Sequence, residues 1–287
     1  MVSTQDPADP SVLKCLIKEV GITPSRLRGQ NFLIDASIAD MLVDAAPLQQ
    51  TDTVLEIGSG FGVITRRLRE RVGKIIAVEA DKKLALPLAE HYKEDPGVEV
   101  IPEDILTFLR WGHFEDFGYH LVSSLPYSIT ARVFRLFLSE VPRPLSITVL
   151  IQQEVAERVT APAGKLSQLG LLAQLYARPE IVQAKISPQS FFPLPAVFSA
   201  IVRFSDIQGA ARQRASWKCS EATLWKIVRA GFQNRRKMLK NTLANLPEIE
   251  GEAVQNWLEK QGYPHSARAQ DIRPADWPLL AQYFFDE

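Results

Sequence analysis

Cysteine is nearly absent. Cys15 and Cys219 are the only two in 287 residues, and no Cys-x-x-Cys or Cys/His cluster occurs. That excludes a disulfide scaffold and a zinc ribbon, and it suits a reducing cytosol. No uninterrupted apolar run reaches the length of a membrane span. The N-terminus, MVSTQDPADP, is acidic and punctuated by proline, unlike a signal or transit peptide, so a cytoplasmic location is expected. The four histidines (His91, His113, His120, His265) are scattered, and there is no P-loop, Ser-His-Asp order or metal cluster. Net charge is missing too, with 33 basic against 33 acidic side chains. A neutral total argues at first sight against a nucleic-acid partner.

The distribution of charge removes that objection. Residues 1–202 carry 20 basic and 23 acidic groups, residues 203–240 carry 10 and 2, and residues 241–287 carry 3 and 8. The basic island runs through Arg203, Arg212, Arg214, Lys218, Lys226, Arg229, Arg235, Arg236, Lys237 and Lys240. Such a stretch builds a strong local field on a neutral protein, although by charge alone it is equally a solvated helix face.

Periodicity places the rest. Thr53–Ile57, Lys74–Glu79, Val98–Ile101, Tyr119–Ser123 and Ser146–Ile151 read as short buried strands. Between them, Val63–Val72, Lys82–Tyr92 and Ile129–Leu138 have helical spacing. Strands alternating with helices predict an α/β fold with a parallel sheet covered on both faces. Glu180–Ile186 and Val197–Phe204 flank the Pro-rich FFPLP without a helix between them, which suggests an antiparallel pair at the sheet edge. After Ser205 the pattern is helical, so two domains are expected, 1–205 and 206–287.

Three features follow successive strands. Glu56-Ile-Gly58-Ser-Gly60-Phe-Gly62 is a strand-to-helix turn with G-x-G-x-G spacing, one residue short of the dinucleotide fingerprint. It disfavours NAD or FAD and favours a mononucleoside-like ligand such as S-adenosylmethionine. Glu79, ending the second strand, is placed to accept from both ribose hydroxyls, and Asp104, after the third, from an adenine amino group. Each acid alone is an ordinary strand-end residue; the series is what carries the reading.

Ser124-Leu125-Pro126-Tyr127 follows the fourth strand. A side-chain oxygen and a backbone carbonyl near the proline can hold the hydrogens of an exocyclic amine and align its lone pair, while the aromatic ring stacks on a base drawn out of its helix. The same tetrapeptide also reads as a proline turn with Tyr127 in the core.

Together these motifs resemble the KsgA-type ribosomal RNA adenine N6,N6-dimethyltransferases. Gly29-Gln30-Asn31-Phe32-Leu33 matches that family's opening motif, and EIGSGFGVIT its cofactor loop. Gln152-x-Glu154-Val155-Ala156-x-Arg158 and Phe191-x-Pro193-x-Pro195-x-Val197 match two further segments, and Phe232-x-x-Arg235-Arg236-Lys237-x-Leu239 matches its basic helix. The resemblance implies a Rossmann-like class I methyltransferase sheet with a small all-helical C-terminal domain. It implies an S-adenosylmethionine site from Asn31, Leu33, Gly58, Gly60, Glu79, Asp104 and Ser124, and a catalytic turn of Ser124, Leu125, Pro126 and Tyr127. Tyr127 and Phe191 would hold the target adenine between them, and Arg235, Arg236 and Lys237 would bind RNA. The expected substrate is a pair of adjacent adenines on the immature small ribosomal subunit, modified by a monomer without a metal or a membrane.

Three residues depart from the family pattern: Ser124 stands where Asn is usual, and Ala196 and Phe198 where Lys and Asp are common. They motivate two alternatives, a weakened or inactive RNA-binding assembly factor on the same scaffold, and a methyltransferase of large-subunit RNA.

Overall fold

The computed structural model describes residues 5–24, 30–110, 118–140, 142–207, 209, 214 and 217–285. Gly29 of the opening motif, Arg212 of the basic island and His113 lie outside them. Contacts divide the chain into two units, one of residues 1–156 and 179–207, the other of 157–178 and 208–287. Residues 157–178, expected with the first domain, therefore group with the C-terminal stretch.

The first unit opens with α1 (Pro10–Val20), β1 (Phe32–Leu33) and α2 (Ala36–Asp44). There follow β2 (Thr53–Ile57), α3 (Val63–Arg69), β3 (Lys74–Val78), α4 (Lys82–Tyr92), β4 (Val98–Ile101), α5 (Ile105–Arg110) and β5 (Tyr119–Ser124). Next come α6 (Thr130–Arg135), β6 (Ser146–Gln152), α7 (Gln153–Val159), β7 (Arg178–Ile186), β8 (Phe191–Phe192) and β9 (Ser199–Ser205). The helix expected over Ile129–Leu138 is α-helical only as α6 and continues as a π-helical turn, Leu136–Glu140.

Seven strands form one sheet in the order β4-β3-β2-β5-β6-β9-β7. The first five are joined by parallel pairs, and β9 runs antiparallel to β6, with Ile147 opposite Phe204. Strands β2, β5 and β6 are buried along almost their whole length, as parallel strands between two helical layers must be. At the far edge β7 alternates between exposed and half-buried residues, as a one-sided edge strand does. A separate two-stranded ladder pairs Phe32 with Phe192 and Leu33 with Phe191. The parallel arrangement brings the carboxyl ends of β2, β3, β4 and β5 to one rim, where ligands bind in open α/β sheets.

Aspartates cap the starts of α2 and α4. Asp35 accepts from the backbone N–H groups of Ser37 and Ile38, and Asp81 from that of Lys83. The apolar face of α1, Leu13 and Leu16, packs on Phe61 and Leu84 and is joined by Phe32.

The second unit is helical: α8 (Gln168–Tyr176), α9 (Glu221–Phe232), α10 (Leu239–Leu243), α11 (Gly251–Lys260) and α12 (Asp276–Phe284). Leu224, Ile227, Val228, Leu239, Trp257 and Trp277 are buried in it. Gly231 lets α9 close on α12, since a Cβ there would stand 2.8 Å from the Trp277 ring.

Candidate functional site

The glycine turn joins β2 to α3 in a conformation that L side chains resist. Gly58 has φ 75° and Gly62 has φ 82°, both left-handed. A Cβ on Gly58 would press on the Pro126 ring at 3.3 Å, and one on Gly62 would meet Leu88 at 2.6 Å. Glycine thus lets this turn abut the turn after β5. The Ser123 hydroxyl on β5 ties the two strand ends together by donating to Ile57 O at 2.5 Å, and the Gly58 N–H donates to Val78 O at the end of β3 at 2.7 Å.

Glu79 is almost fully buried beside the turn. Its Oε2 accepts from the Gly60 N–H and its Oε1 from the Asp81 N–H, each at 2.9 Å. Burial nevertheless raises its pKa from the ordinary glutamate value. Each oxygen retains acceptor capacity beyond the backbone bond it already makes. Behind the turn lies Glu56, whose role the sequence alone did not identify. It is 2% exposed and accepts from the Thr65 hydroxyl at 2.6 Å. Burial, and secondarily the charge of Glu79, pushes its pKa up to about 8.

Asp104 is exposed at the start of α5, where its Oδ1 accepts the Leu106 N–H at 2.9 Å. Ser124 ends β5 half-buried. The Leu125 N–H donates to Leu150 O at 3.1 Å, extending the ladder one residue past the strand. The Pro126 carbonyl is engaged by the Ile129 N–H and the Thr130 hydroxyl. Among the described residues no hydrogen bond reaches the Leu125 carbonyl. Tyr127 is half-buried, its hydroxyl 2.9 Å from that of Ser199 on β9, and burial raises its pKa. Ser199 is fully buried, and sequence reasoning missed it.

A cleft of about 360 Å³ gathers most of these groups. Asn31, Gly58, Gly60, Glu79, Asp104, Ser124, Leu125, Pro126, Tyr127 and Phe191 all line it. That volume lies within the usual range of small-molecule sites. Two expected residues stand differently. Leu33 is 4% exposed and packs in the core with Val122, Leu150 and Ile201, so the cleft wall there is Gln30, Asn31 and Phe32. Phe191 is 3% exposed and belongs to the same core, so it closes the cleft as a wall and offers little ring surface.

In the second unit, Arg235, Arg236 and Lys237 are all exposed. They occupy the turn between α9 and α10, where a basic helix was expected. The Asn234 side chain accepts the Arg236 N–H and its carbonyl the Lys237 N–H, shaping that turn. Among the described residues no ion pair engages these three cations.

The chain matches the family model "Ribosomal RNA adenine dimethylase" over residues 25–286, which takes in both units. It belongs to the ribosomal RNA adenine dimethylase family. The ribosomal RNA small subunit methyltransferase A of Dehalococcoides mccartyi (strain 195) is 38% identical over 253 residues, 88% of this chain and 85% of the relative. That of Clostridium botulinum (strain Okra) is 33% identical over 262 residues, 90% of this chain and 93% of the relative. Among solved structures, the 23S rRNA methyltransferase ErmE superposes with TM-score 0.67 at 27% identity, covering 88% of this chain and 99% of its own. A dimethyladenosine transferase from Plasmodium falciparum superposes at TM-score 0.69 and 22% identity, covering 88% and 100%, and shows the shared fold. As a member of the dimethylase family the chain is an rRNA adenine methyltransferase with a class I methyltransferase fold, and it needs a methyl donor.

Proposed function

We propose that this protein transfers methyl groups from S-adenosylmethionine to N6 of adjacent adenines in small-subunit ribosomal RNA, acting as a cytoplasmic monomer during subunit assembly. The observation that carries the reading is the single cleft lined by the glycine turn, Glu79, Asp104 and the turn Ser124–Tyr127.

The donor fits this cleft by its chemistry. Gly58 and Gly60 present backbone where side chains would intrude, and Glu79 holds acceptor capacity for a diol. Asn31, Gly58, Gly60, Glu79 and Asp104 would hold S-adenosylmethionine, which when bound supplies an electrophilic methyl group. The remaining residues act on the adenine. Its N6 lone pair is delocalised into the ring, so the amine has to be oriented before it can react. The Ser124 hydroxyl and the Leu125 carbonyl accept its two hydrogens; the Pro126 carbonyl is already engaged twice. Ser124 is shorter than the Asn usual in the family, yet keeps one acceptor for the purpose. Tyr127, held by Ser199, stacks on the base, and Phe191 closes the end of the cleft. Positioning of this kind supplies much of the rate where the reactants need only be aligned. Arg235, Arg236 and Lys237 contact RNA phosphates.

The test is a methylation assay on immature small subunits with mass spectrometry of the RNA. Two methyl groups on each of two adjacent adenines are expected. Cofactor binding without methylation of small-subunit adenines would defeat the proposal, and product on large-subunit RNA would redirect it.

A further inference from the structure

Apolar side chains left in water are clustered in one stretch of the first unit. Phe192, Leu194, Val197 and Phe198 are 36%, 54%, 36% and 51% exposed. They account for four of the ten large hydrophobic residues so exposed among the described residues. The stretch from Ile186 to Val202 contains no charged side chain.

The segment Phe192–Phe198 within it is flanked by one residue of the cleft wall and by one that bonds a wall residue. Phe191, immediately before it, lines the cleft wall and pairs with Leu33. Ser199, immediately after it, bonds the Tyr127 hydroxyl. The backbone between is held as well: Pro193 and Pro195 restrict it, and the Gln153 N–H donates to Phe198 O at 2.9 Å. An exposed aromatic ring thus stands one residue from Ser199, whose hydroxyl bonds that of Tyr127.

We propose that Phe198 is a stacking platform for the nucleobase next to the target adenine. The inference rests on the RNA-methylating reading above and deepens it. A strand that surrenders one base to the cleft leaves the neighbouring base unstacked, and an exposed aromatic ring is the surface on which such a base settles. The stretch carries no cation that could serve a phosphate, so a base face is the RNA element it matches. The platform is tolerant of base identity, since every base offers a π-face.

The test uses the full chain and immature small subunits, with Phe198→Ala, Phe198→Leu and Phe198→Trp beside the wild type. Steady-state methylation gives KM and kcat, and cosedimentation with the subunits gives Kd. Ala and Leu are expected to raise KM and Kd about tenfold with kcat little changed, and Trp to stay near wild type. Wild-type values for Leu would assign the ring to an apolar protein contact and overturn the platform. So would wild-type KM and Kd for Ala, including the case in which Ala instead dissociates a dimer on sedimentation. Failure of the functional reading shows separately, as a wild-type enzyme that leaves small-subunit adenines unmethylated; the Kd comparison still reads Phe198.

Discussion

Replacing Glu56 by Gln isolates one buried proton. In the native chain the carboxyl is 2% exposed, bonded to Thr65, and raised to about 8. In the unfolded chain a glutamate titrates at about 4.3. Between those values the folded protein keeps a proton that the unfolded chain has lost. Folding therefore takes up a proton in that window, and stability falls as pH rises through it, by up to about 1.4 kcal/mol per pH unit. From pH 5 to pH 8 the loss sums to roughly 3 to 4 kcal/mol. Gln has nearly the same size, offers Thr65 the same acceptor, and does not titrate. Urea denaturation of both proteins at pH 5, 6, 7 and 8 reads the difference directly. The gap should move in favour of the variant as pH rises. Contributions from groups not coupled to Glu56, such as the buried His120, appear in both proteins and cancel. Parallel stability profiles would refute the assignment of a neutral Glu56 behind the glycine turn.

Glu79→Ala should weaken S-adenosylmethionine binding at least tenfold in calorimetry, because a hydrogen bond to a charged acceptor contributes about 1.5–3 kcal/mol; unaltered affinity would remove Glu79 from the donor site. Ser199→Ala and Tyr127→Phe each delete one side of the same hydroxyl pair, so each should lower kcat about threefold to tenfold while cofactor affinity is kept. The double variant should be no worse than either single one, and additive losses would break the link between Ser199 and Tyr127. Removing both Arg235 and Arg236 should flatten the dependence of log K on log salt for RNA binding by about 2, one unit for each phosphate no longer neutralised. An unchanged slope would return that turn to ordinary solvated charge.

The central strands were legible because they are buried on both faces and so read as short, largely apolar runs. Ser146–Ile151 and the observed β6 differ by one residue, and Lys82–Tyr92 coincides with α4. The ladder of β1 with β8 left no such trace, since two residues set no period. Helix α1 did carry signals, with Asp9 accepting the Ser11 N–H at its start and Gly21 closing it in the left-handed region, yet its Pro-punctuated start masked them. In the site, residues that follow strand ends could be named in order from the sequence, and they line one cleft. Ser123 and Ser199 could not, because each matters through a distant partner; Ser199 lies 72 positions from Tyr127. Leu33 was named from a motif although its side chain serves the core, since a motif does not say which way a residue points.

The chain passes between its two units three times, after residues 156, 178 and 207. A ribosome that makes this protein releases α8 before β9 exists to complete the sheet and before α9, whose Trp225 bonds and stacks on Tyr176 of α8, exists. Six residues of α8, including Leu171, Leu172 and Tyr176, end up buried and must wait in water meanwhile. The same interleaving means that a break at residue 205 would not divide the protein into its two halves, because it would strand α8 with the wrong one.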